Sequence, residues 1–301
     1  MVPEATLLAA WKAASARLAQ AGVDSPTIDA RLLLEAAAPI TRADILTDPH
    51  RALDAEASAR LEAFVARRER REPVSQILGR KGFWTLMLNV SQHVLAPRPE
   101  TESILDIVLA QYPPGRAFTV LDLGVGSGAI LLSILAERPA AKGLGIDVSE
   151  EALAVAKDNA ALLGLASRAA FLRTDWAAGL DEASFDLVVS NPPYIPTADI
   201  ETLAPEVRDH EPRLALDGGP DGLDAYRELA PQIMRVLRPG GRFAVEIGPE
   251  QAVDVQGLFA AAGAAELEVH KDLATRERVV AGARKPLETS GRIVTSVDVS
   301  S

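Results

Sequence analysis

A short apolar segment runs into a glycine-rich turn at residues 120–130, which read Val-Leu-Asp-Leu-Gly-Val-Gly-Ser-Gly-Ala-Ile. Glycines tolerate positive φ and let the backbone approach a ligand closely. The helix predicted after the turn offers N–H groups without intrahelical partners. Asp147 ends the next predicted strand, where a carboxylate can accept hydrogen bonds from the ribose hydroxyls of an adenosine ligand. The turn and the acid together predict a nucleotide-type ligand at one edge of an α/β sheet.

After Gly115, short apolar segments alternate with helical segments. Strands are predicted at 119–123, 143–148, 170–173, 185–190 and 242–247, and helices at 130–137, 150–163, 222–237 and 251–262. This order is typical of an α/β fold with a doubly wound, mostly parallel sheet covered by helices on both faces. Two last strands, 266–270 and 278–283, have only a short connection and must therefore pair antiparallel. The sequence thus predicts a seven-stranded sheet.

The chain before residue 74 is predicted to be helical. Apolar residues recur at helical spacing over 7–18, a second helix follows Ser25 and Pro26, and a third covers about 54–71. Partial alternation around Phe83 and Trp84 then indicates a β-hairpin. We therefore expect a helical domain over 1–74, a hairpin linker over 75–97, an α/β domain over 98–285 and a tail over 286–301.

Charge and composition exclude several classes of protein and site. The 31 basic and 42 acidic residues give a net charge of −11, which disfavours duplex DNA as a partner. The chain has no cysteine and only four scattered histidines, so we expect no disulfide, thiolate nucleophile or metal site. Residues 67–71, Arg-Arg-Glu-Arg-Arg, are either a solvated helix end or a docking surface. We find neither a signal peptide nor a membrane-spanning run, and expect a cytoplasmic protein.

The glycine turn alone leaves two ligands open. Gly124, Gly126 and Ala129 also fit the dinucleotide pattern, so a nicotinamide-dependent oxidoreductase is an alternative. Asp122, however, would repel a pyrophosphate and could instead serve a ligand with an ammonium group, such as S-adenosylmethionine. The antiparallel strand pair at the end of the sheet also favours a methyltransferase. The chain here resembles the class I S-adenosylmethionine-dependent methyltransferases, which have a Rossmann-like sheet.

A second motif, Asn-Pro-Pro-Tyr at residues 191–194, follows the strand predicted at 185–190. Open α/β sheets bind their ligands at this end of the strands. An amide or an aromatic amine is a poor nucleophile, because its lone pair is delocalised. The Asn191 side-chain oxygen and the Pro192 carbonyl can each hold one N–H of such a group, and the Tyr194 ring can pack against its plane. Catalysis would then depend on positioning and electrostatics rather than on a strong base.

Three further segments carry a closer resemblance. Residues 211–223, residues 94–102 and Gly82-Phe83-Trp84 resemble the HemK/PrmC family of peptide chain release factor glutamine N5-methyltransferases, and the likeness covers roughly residues 3–284. It implies methyl transfer from S-adenosylmethionine to the glutamine of the Gly-Gly-Gln motif in class I peptide chain release factors. It also implies that the helical domain recognises this protein substrate, with residues 67–71 as a candidate contact. Residues 73–79 depart from the family pattern, but they lie in the linker.

The resemblance also implies roles for individual residues. It implies that the cofactor contacts are Gly124, Val125, Gly126, Ser127, Gly128, Asp147, Trp176 and Asn191. It implies that the substrate glutamine is bound by Asn191, Pro192, Pro193 and Tyr194, of which Asn191, Pro192 and Tyr194 are catalytic. Arg98 and Glu100 are expected to support the site, and the loop at 217–222 to cover it by virtue of its glycines.

Four alternatives remain at this point. A glutamine methyltransferase of a ribosomal protein shares Asn-Pro-Pro-Tyr, but commonly has Pro-Arg-Ser-Pro where residues 97–102 read Pro-Arg-Pro-Glu-Thr-Glu. An adenine N6 methyltransferase would need a basic region that reads nucleic acid. A nicotinamide oxidoreductase and a noncatalytic binding module leave residues 191–194 unexplained. We therefore expect a protein partner, with no membrane contact and no direct binding of nucleic acid.

Overall fold

The structure, a computed structural model, describes residues 5–286, and it begins with a helical unit. Its five helices are α1 (Leu7–Gln20), α2 (Pro26–Ala37), α3 (Arg42–Thr47), α4 (Ala55–Glu69) and α5 (Val74–Leu78). The side chains of Thr6, Thr41 and Asp54 cap α1, α3 and α4 by accepting a backbone N–H of the first turn. Leucines of α1 and α2 form an apolar core separate from the core around the sheet. The three predicted helices are confirmed, while α3 and α5 were not predicted.

A hairpin and a short helix lead from this unit to the sheet. Strands β1 (Arg80–Phe83) and β2 (Leu86–Asn89) pair antiparallel, as predicted. A 3-10 turn at Pro99–Thr101 continues into α6 (Glu102–Gln111). The Trp84 backbone N–H donates to the Glu102 side chain at 2.8 Å, so the hairpin is hydrogen-bonded to the start of α6.

The remaining chain forms the predicted seven-stranded sheet. Its strands are β3 (Thr119–Leu123), β4 (Lys142–Asp147), β5 (Ala169–Arg173), β6 (Phe185–Ser190), β7 (Leu237–Glu246), β8 (Ala264–Lys271) and β9 (Glu277–Arg284). Its helices are α7 (Ala129–Glu137), α8 (Glu150–Leu162), α9 (Pro205–Arg208), α10 (Asp224–Val236) and α11 (Ala252–Ala261). The strand order is β5-β4-β3-β6-β7-β9-β8, and β9 alone runs in the direction opposite to the other six strands. Both faces carry apolar cores, which confirms the doubly wound architecture.

The arginine-rich end of α4 points into the protein. Arg68 is only 5% exposed and donates at 2.8 Å both to Asp29 of α2 and to Glu206 of α9, while Arg71 donates to Glu206 at 2.7 Å. Arg67 pairs with Glu72. The buried ion pairs show that a solvated helix end is wrong for Arg68, while the docking-surface interpretation of residues 67–71 stays a prediction. The run joins the helical unit to α9.

The fold leaves the predicted domain boundaries and tail untested. The boundaries at residues 74, 97 and 285 stay predictions, and all of the predicted tail except Pro286 lies outside the described residues. Each helix within 5–286 is too short or too polar to cross a bilayer. The same residues contain no group of three or more His, Asp or Glu side chains arranged to hold a metal ion.

Candidate active site

A cavity of about 370 Å³ opens at the carboxyl ends of β3, β4 and β6. Its walls include the glycine turn, the start of Asn-Pro-Pro-Tyr and the segment after the hairpin. The predicted site residues that line it are Gly124, Val125, Gly126, Ser127, Asp147, Trp176, Asn191, Pro192 and Pro193. Two predicted residues lie elsewhere: Gly128 sits behind the turn as the N-cap of α7, and Tyr194 lines a neighbouring cavity. The sheet thus brings the two motifs to one opening.

The glycine turn needs its glycines for backbone reasons. Gly124, Gly126 and Gly128 all have positive φ, at 76°, 52° and 84°. Asp147 stabilises the turn from β4, because its Oδ2 accepts the Gly126 N–H at 3.0 Å and its Oδ1 accepts the Ser149 N–H at 3.0 Å. The Asp147 carboxylate therefore lies at the cavity wall with both oxygens oriented by backbone N–H groups.

Trp176 forms another part of the same wall. Its indole N–H donates to Glu228 at 3.0 Å, which orients the ring, and a ring carbon lies 3.7 Å from where a Cβ on Gly124 would be. The residue has a φ of 46°, a conformation that side-chain-bearing residues seldom adopt. The flat apolar ring can therefore pack against a planar base in the cavity.

Asn191 follows β6 directly and faces both cavities. Its side-chain Nδ2 donates to the Thr101 hydroxyl at 3.2 Å, whereas its Oδ1 accepts no hydrogen bond from residues 5–286. The neighbouring Ser190 hydroxyl donates to the Leu123 carbonyl at 2.7 Å and joins the ends of β6 and β3. Asn191 therefore offers a fixed acceptor where the two cavities meet.

Tyr194 lines the second cavity, which has a volume of about 320 Å³ and is also lined by the charged residues Arg98, Glu100, Glu246 and Arg278. Burial, followed by the nearby Glu246 carboxyl, raises the pKa of Tyr194 to about 12, so the phenol stays protonated at neutral pH. Arg98 donates to the buried Glu211 at 2.6 Å. Burial raises the pKa of Glu211 even though Arg98 opposes the shift. The second cavity is therefore more polar and more highly charged than the glycine-turn side.

Comparisons with known proteins agree with this geometry. A family model described as the PrmC N-terminal domain matches residues 9–79, and one described as a methyltransferase domain matches residues 115–278. The release factor glutamine methyltransferase of Caulobacter vibrioides is 65% identical over 94% of this chain and 98% of its own length. The enzyme of the same name from Rhodospirillum rubrum is 49% identical over 89% of this chain and 82% of its own. The chain belongs to the release factor glutamine methyltransferase family.

Membership of this family confirms the resemblance drawn from residues 82–84, 94–102 and 211–223, and it removes the oxidoreductase and binding-module alternatives. A solved methyltransferase from Pyrococcus furiosus shares the fold, with a TM-score of 0.50 and 18% identity over 66% of this chain and 89% of its own. At that identity the likeness concerns the fold alone.

Asp122, which was predicted to contact the ligand, lies away from the cavity. Asp122 is 1% exposed and does not line the cavity; its Oδ2 accepts the Leu131 N–H of α7 at 3.1 Å. Burial raises the pKa of Asp122 to about 7. The expectation that Asp122 serves an ammonium group is wrong, since its side chain supports the first turn of α7.

The loop at 217–222 also differs from expectation. Of its residues only Asp217 lines the large cavity. The loop packs on the segment after Asn-Pro-Pro-Tyr, where the Ile195 carbonyl accepts the Gly218 N–H at 2.8 Å. A Cβ on Gly222 would lie 2.4 Å from the Tyr194 carbonyl oxygen. The glycines therefore permit close packing on the motif, and the structure gives no support to their predicted role in movement over the cavity.

Three residues near the site were not predicted. Asn159 of α8, which is fully buried, donates to the Ser127 carbonyl at 2.9 Å and exchanges hydrogen bonds with the backbone of Asn89 in β2. Thr101 holds the amide of Asn191, and Glu246 lies at the end of β7 beside Tyr194. An acidic residue at the end of an apolar strand is a signal that could have identified Glu246. Nothing in the sequence pairs Thr101 with a residue ninety positions later.

Proposed function

We propose that the protein transfers a methyl group from S-adenosylmethionine to the side-chain nitrogen of the glutamine in the Gly-Gly-Gln motif of class I peptide chain release factors. The observation that supports this most is the orientation of Asn191. Because its Nδ2 is bonded to Thr101, its Oδ1 is left as an acceptor at the cavity. An acceptor so placed suits an N–H donor such as a substrate amide.

The cavity also fits the cofactor. The glycine turn leaves open space beside Gly126, the Asp147 carboxylate can accept ribose hydroxyls, and the Trp176 ring can cover a base. When bound, S-adenosylmethionine supplies a methyl group activated by a positively charged sulfur. We propose Gly124–Gly128, Asp147, Trp176 and Asn191 as the residues that hold it.

The protein's own contribution is to position a weak nucleophile. We propose that Asn191 Oδ1 and the Pro192 carbonyl each accept one N–H of the substrate amide, which favours a pyramidal nitrogen with its lone pair free. Pro192 and Pro193 fix the backbone dihedral φ at this point, and the Tyr194 ring packs beside the amide plane. The nitrogen becomes acidic as it is methylated, so its proton can pass to water without a dedicated base. Most of the rate acceleration would come from orientation and preorganised dipoles.

The choice of substrate is supported by the relatives. The curated proteins that match over nearly their whole length carry the name release factor glutamine methyltransferase. A helical unit that matches the PrmC N-terminal domain precedes the sheet, and it is joined to α9 near the second cavity. We propose that it recognises the release factor. Because release factors work on ribosomes, we place the reaction in the cytoplasm.

The direct test is incubation of the purified protein with a class I release factor and methyl-labelled cofactor, followed by peptide mass analysis. We expect one methyl group on the glutamine of Gly-Gly-Gln, and none when that glutamine is replaced by alanine. The variant Asn191→Ala should lose about a hundredfold or more in kcat, the cost of removing one preorganised polar contact to the transition state, while it still binds the cofactor. Label on another residue of the release factor would refute the assignment, as would label that goes only to a ribosomal protein or to adenine in nucleic acid supplied in parallel incubations.

A further inference from the structure

We propose that one face of helix α10 positions the Trp176 ring against the base of S-adenosylmethionine. This face carries Glu228, Gln232 and Arg235, whose spacing of four and three residues places them on the same side of the helix. The three side chains hold residues 174–180, the tryptophan loop. None of the three lines the cavity, so they act as positioning residues. The proposal rests on the proposed function, because it takes Trp176 as a residue that holds the cofactor.

The side chain of Trp176 is fixed from α10 in two ways. Its indole N–H donates to the Glu228 carboxylate at 3.0 Å. Its half-buried ring packs against the apolar core that includes Leu229 of the same helix. A hydrogen bond to an ionised acceptor is stronger than one to a neutral acceptor. The two contacts therefore restrict rotation of the ring and keep it at the cavity wall.

The backbone that follows Trp176 is fixed by the other two side chains. Gln232 Oε1 accepts the Ala177 N–H at 2.9 Å, and Arg235 donates to the Ala177 carbonyl at 2.7 Å and to the Leu180 carbonyl at 2.6 Å. Ala177 is fully buried, so its N–H would have to stay buried without a partner if Gln232 were removed. The first N–H after Trp176 is therefore held by α10.

These contacts maintain a backbone conformation that is unfavourable on its own. The φ of Trp176 is 46°, in the left-handed region that residues with a Cβ seldom adopt. Such a conformation persists only where the surrounding structure enforces it. It places the ring over the glycine turn, because a ring carbon lies 3.7 Å from the position that a Cβ on Gly124 would take. The orientation of this part of the cavity wall thus depends on α10.

A ring that is already fixed lowers the cost of binding a flat base. Stacking requires overlap of two planes, and a ring that rotated freely would lose that freedom each time a base was bound. S-adenosylmethionine and its product S-adenosylhomocysteine carry the same base. The hydrogen bonds from α10 should therefore strengthen the binding of both without changing the barrier to methyl transfer.

The main test is a double-mutant cycle between Glu228 and Trp176, with the Kd of S-adenosylmethionine measured by titration calorimetry. Glu228→Ala removes the acceptor of the indole N–H and should raise this Kd about threefold to tenfold, as expected for one hydrogen bond. Glu228→Gln keeps an acceptor and should stay within about twofold of wild type. In a Trp176→Phe protein, which has no indole N–H, adding Glu228→Ala should change the Kd by less than about 1.5-fold. The exposed Glu182→Ala is the matched control and should leave the Kd unchanged.

Kinetics and a second position add readouts that a general loss of stability would not give. Glu228→Ala should raise KM for S-adenosylmethionine and leave kcat within about twofold of wild type. Gln232→Ala should raise the Kd of S-adenosylmethionine in the same way, because it frees the backbone beside Trp176. Should Gln232→Ala fail to fold by circular dichroism, the cycle at the exposed Glu228 still decides the matter. A Kd within about 1.5-fold of wild type in either folded alanine variant would overturn the proposal, and so would an equal rise on Glu228→Ala with and without Trp176→Phe.

A measurement without any ligand separates this inference from the proposed function. In ¹⁵N-labelled protein the indole N–H signal of Trp176 is identified by its loss in Trp176→Phe. It should move upfield in Glu228→Ala, as a hydrogen bond is lost, and stay in place in Glu182→Ala. If the wild type fails to methylate a release factor yet this signal and the Kd change as expected, the function is wrong and the positioning role stands. If the glutamine of Gly-Gly-Gln is methylated but Glu228→Ala alters neither the signal nor the Kd, the function stands and this inference is refuted.

Discussion

The glycine-turn end and the Asn-Pro-Pro-Tyr end of the cavity are held in different ways. At the first, Asp147 uses both carboxylate oxygens on nearby backbone N–H groups, and Asn159 satisfies backbone groups of Ser127 and Asn89. At the second, Asn191 depends on Thr101, far away in the chain, and the neighbouring Glu246 keeps an oxygen without a partner among residues 5–286.

This difference separates two tasks. A turn held by backbone and side-chain hydrogen bonds suits the binding of a ligand that is the same in every reaction cycle. Spare hydrogen-bonding capacity at the other end suits groups whose partner arrives with the substrate, since a buried polar atom without a partner is costly. Damage to the first end should therefore weaken cofactor binding, whereas damage to the second should affect the use of the protein substrate.

The largest effect is expected for Asn159→Ala. It removes the side chain that bonds Ser127 and Asn89, and leaves buried backbone groups without partners. We expect the free energy of unfolding to fall by about 3–4 kcal/mol, and the Kd for S-adenosylmethionine to rise. Urea unfolding and titration calorimetry measure the two quantities. The exposed neighbour Asp158→Ala should change neither; an Asn159→Ala protein with wild-type affinity for the cofactor would contradict the comparison.

A smaller effect is expected at the junction with the helical unit. Burial raises the pKa of Glu206, but hydrogen bonds from Arg71 and Arg68 outweigh it and lower the value to about 2. A lowered pKa means that the ion pairs stabilise the protein above the ordinary value of about 4.5, and that this stabilisation is lost as the pH falls toward 2. Glu206→Gln should cost about 2 kcal/mol at pH 7.

The stability difference between wild type and Glu206→Gln, measured by urea unfolding, should therefore shrink as the pH falls below 4.5. The variant should also raise KM for the release factor without changing the Kd of the cofactor. Glu182→Gln, at an exposed position away from α9, serves as a control. A stability difference that stays constant with pH would show that Glu206 is not stabilised as a carboxylate.

The smallest expected difference is the one between alanine variants of two glycines, and it concerns the packing of the 217–222 loop. Gly222 and Gly240 have nearly equal positive φ values of 76° and 78°, but a Cβ on Gly222 would meet the Tyr194 carbonyl and a Cβ on Gly240 would meet nothing within 4 Å. Alanine should cost about 1 kcal/mol at Gly240 from backbone strain, and about 1–2 kcal/mol more at Gly222. Only Gly222→Ala should lower kcat. Equal costs would show that the loop does not support Tyr194.

Sequence reasoning succeeded where structure depends on neighbouring residues. Strands β3 and β6 are short buried apolar runs, and the glycine turn needs positive φ at positions that only glycine adopts readily. The number of strands, their alternation with helices and the antiparallel end followed from such local patterns. Helix α3 was not predicted because it is only six residues long. Thr41 and Asp44 form a capping box, which is a sequence signal for the start of this helix.

The candidate site was predictable only in part, because some of its residues are close together in the fold but far apart in the sequence. Residues 124–128 and 191–194 are continuous motifs, whereas Thr101, Asn159 and Glu246 act through contacts across the fold. The role of Asp122 was predicted wrongly. Its position in β3 tells which face of the sheet its side chain is on, but the sequence does not tell whether a ligand or α7 covers that face. The burial of Arg68 was not predicted, because its partner Glu206 lies far along the chain.

Strand β9 lies between β7 and β8, so β8 joins the sheet only through a strand that is synthesised after it. The same strand supplies Arg278 to the second cavity. A nascent chain emerges from its N-terminus onward, and it therefore carries the complete glycine turn long before its sheet can close. A chain that has not yet reached β9 therefore contains every residue of the glycine turn but lacks both the strand that holds β8 and Arg278 of the second cavity.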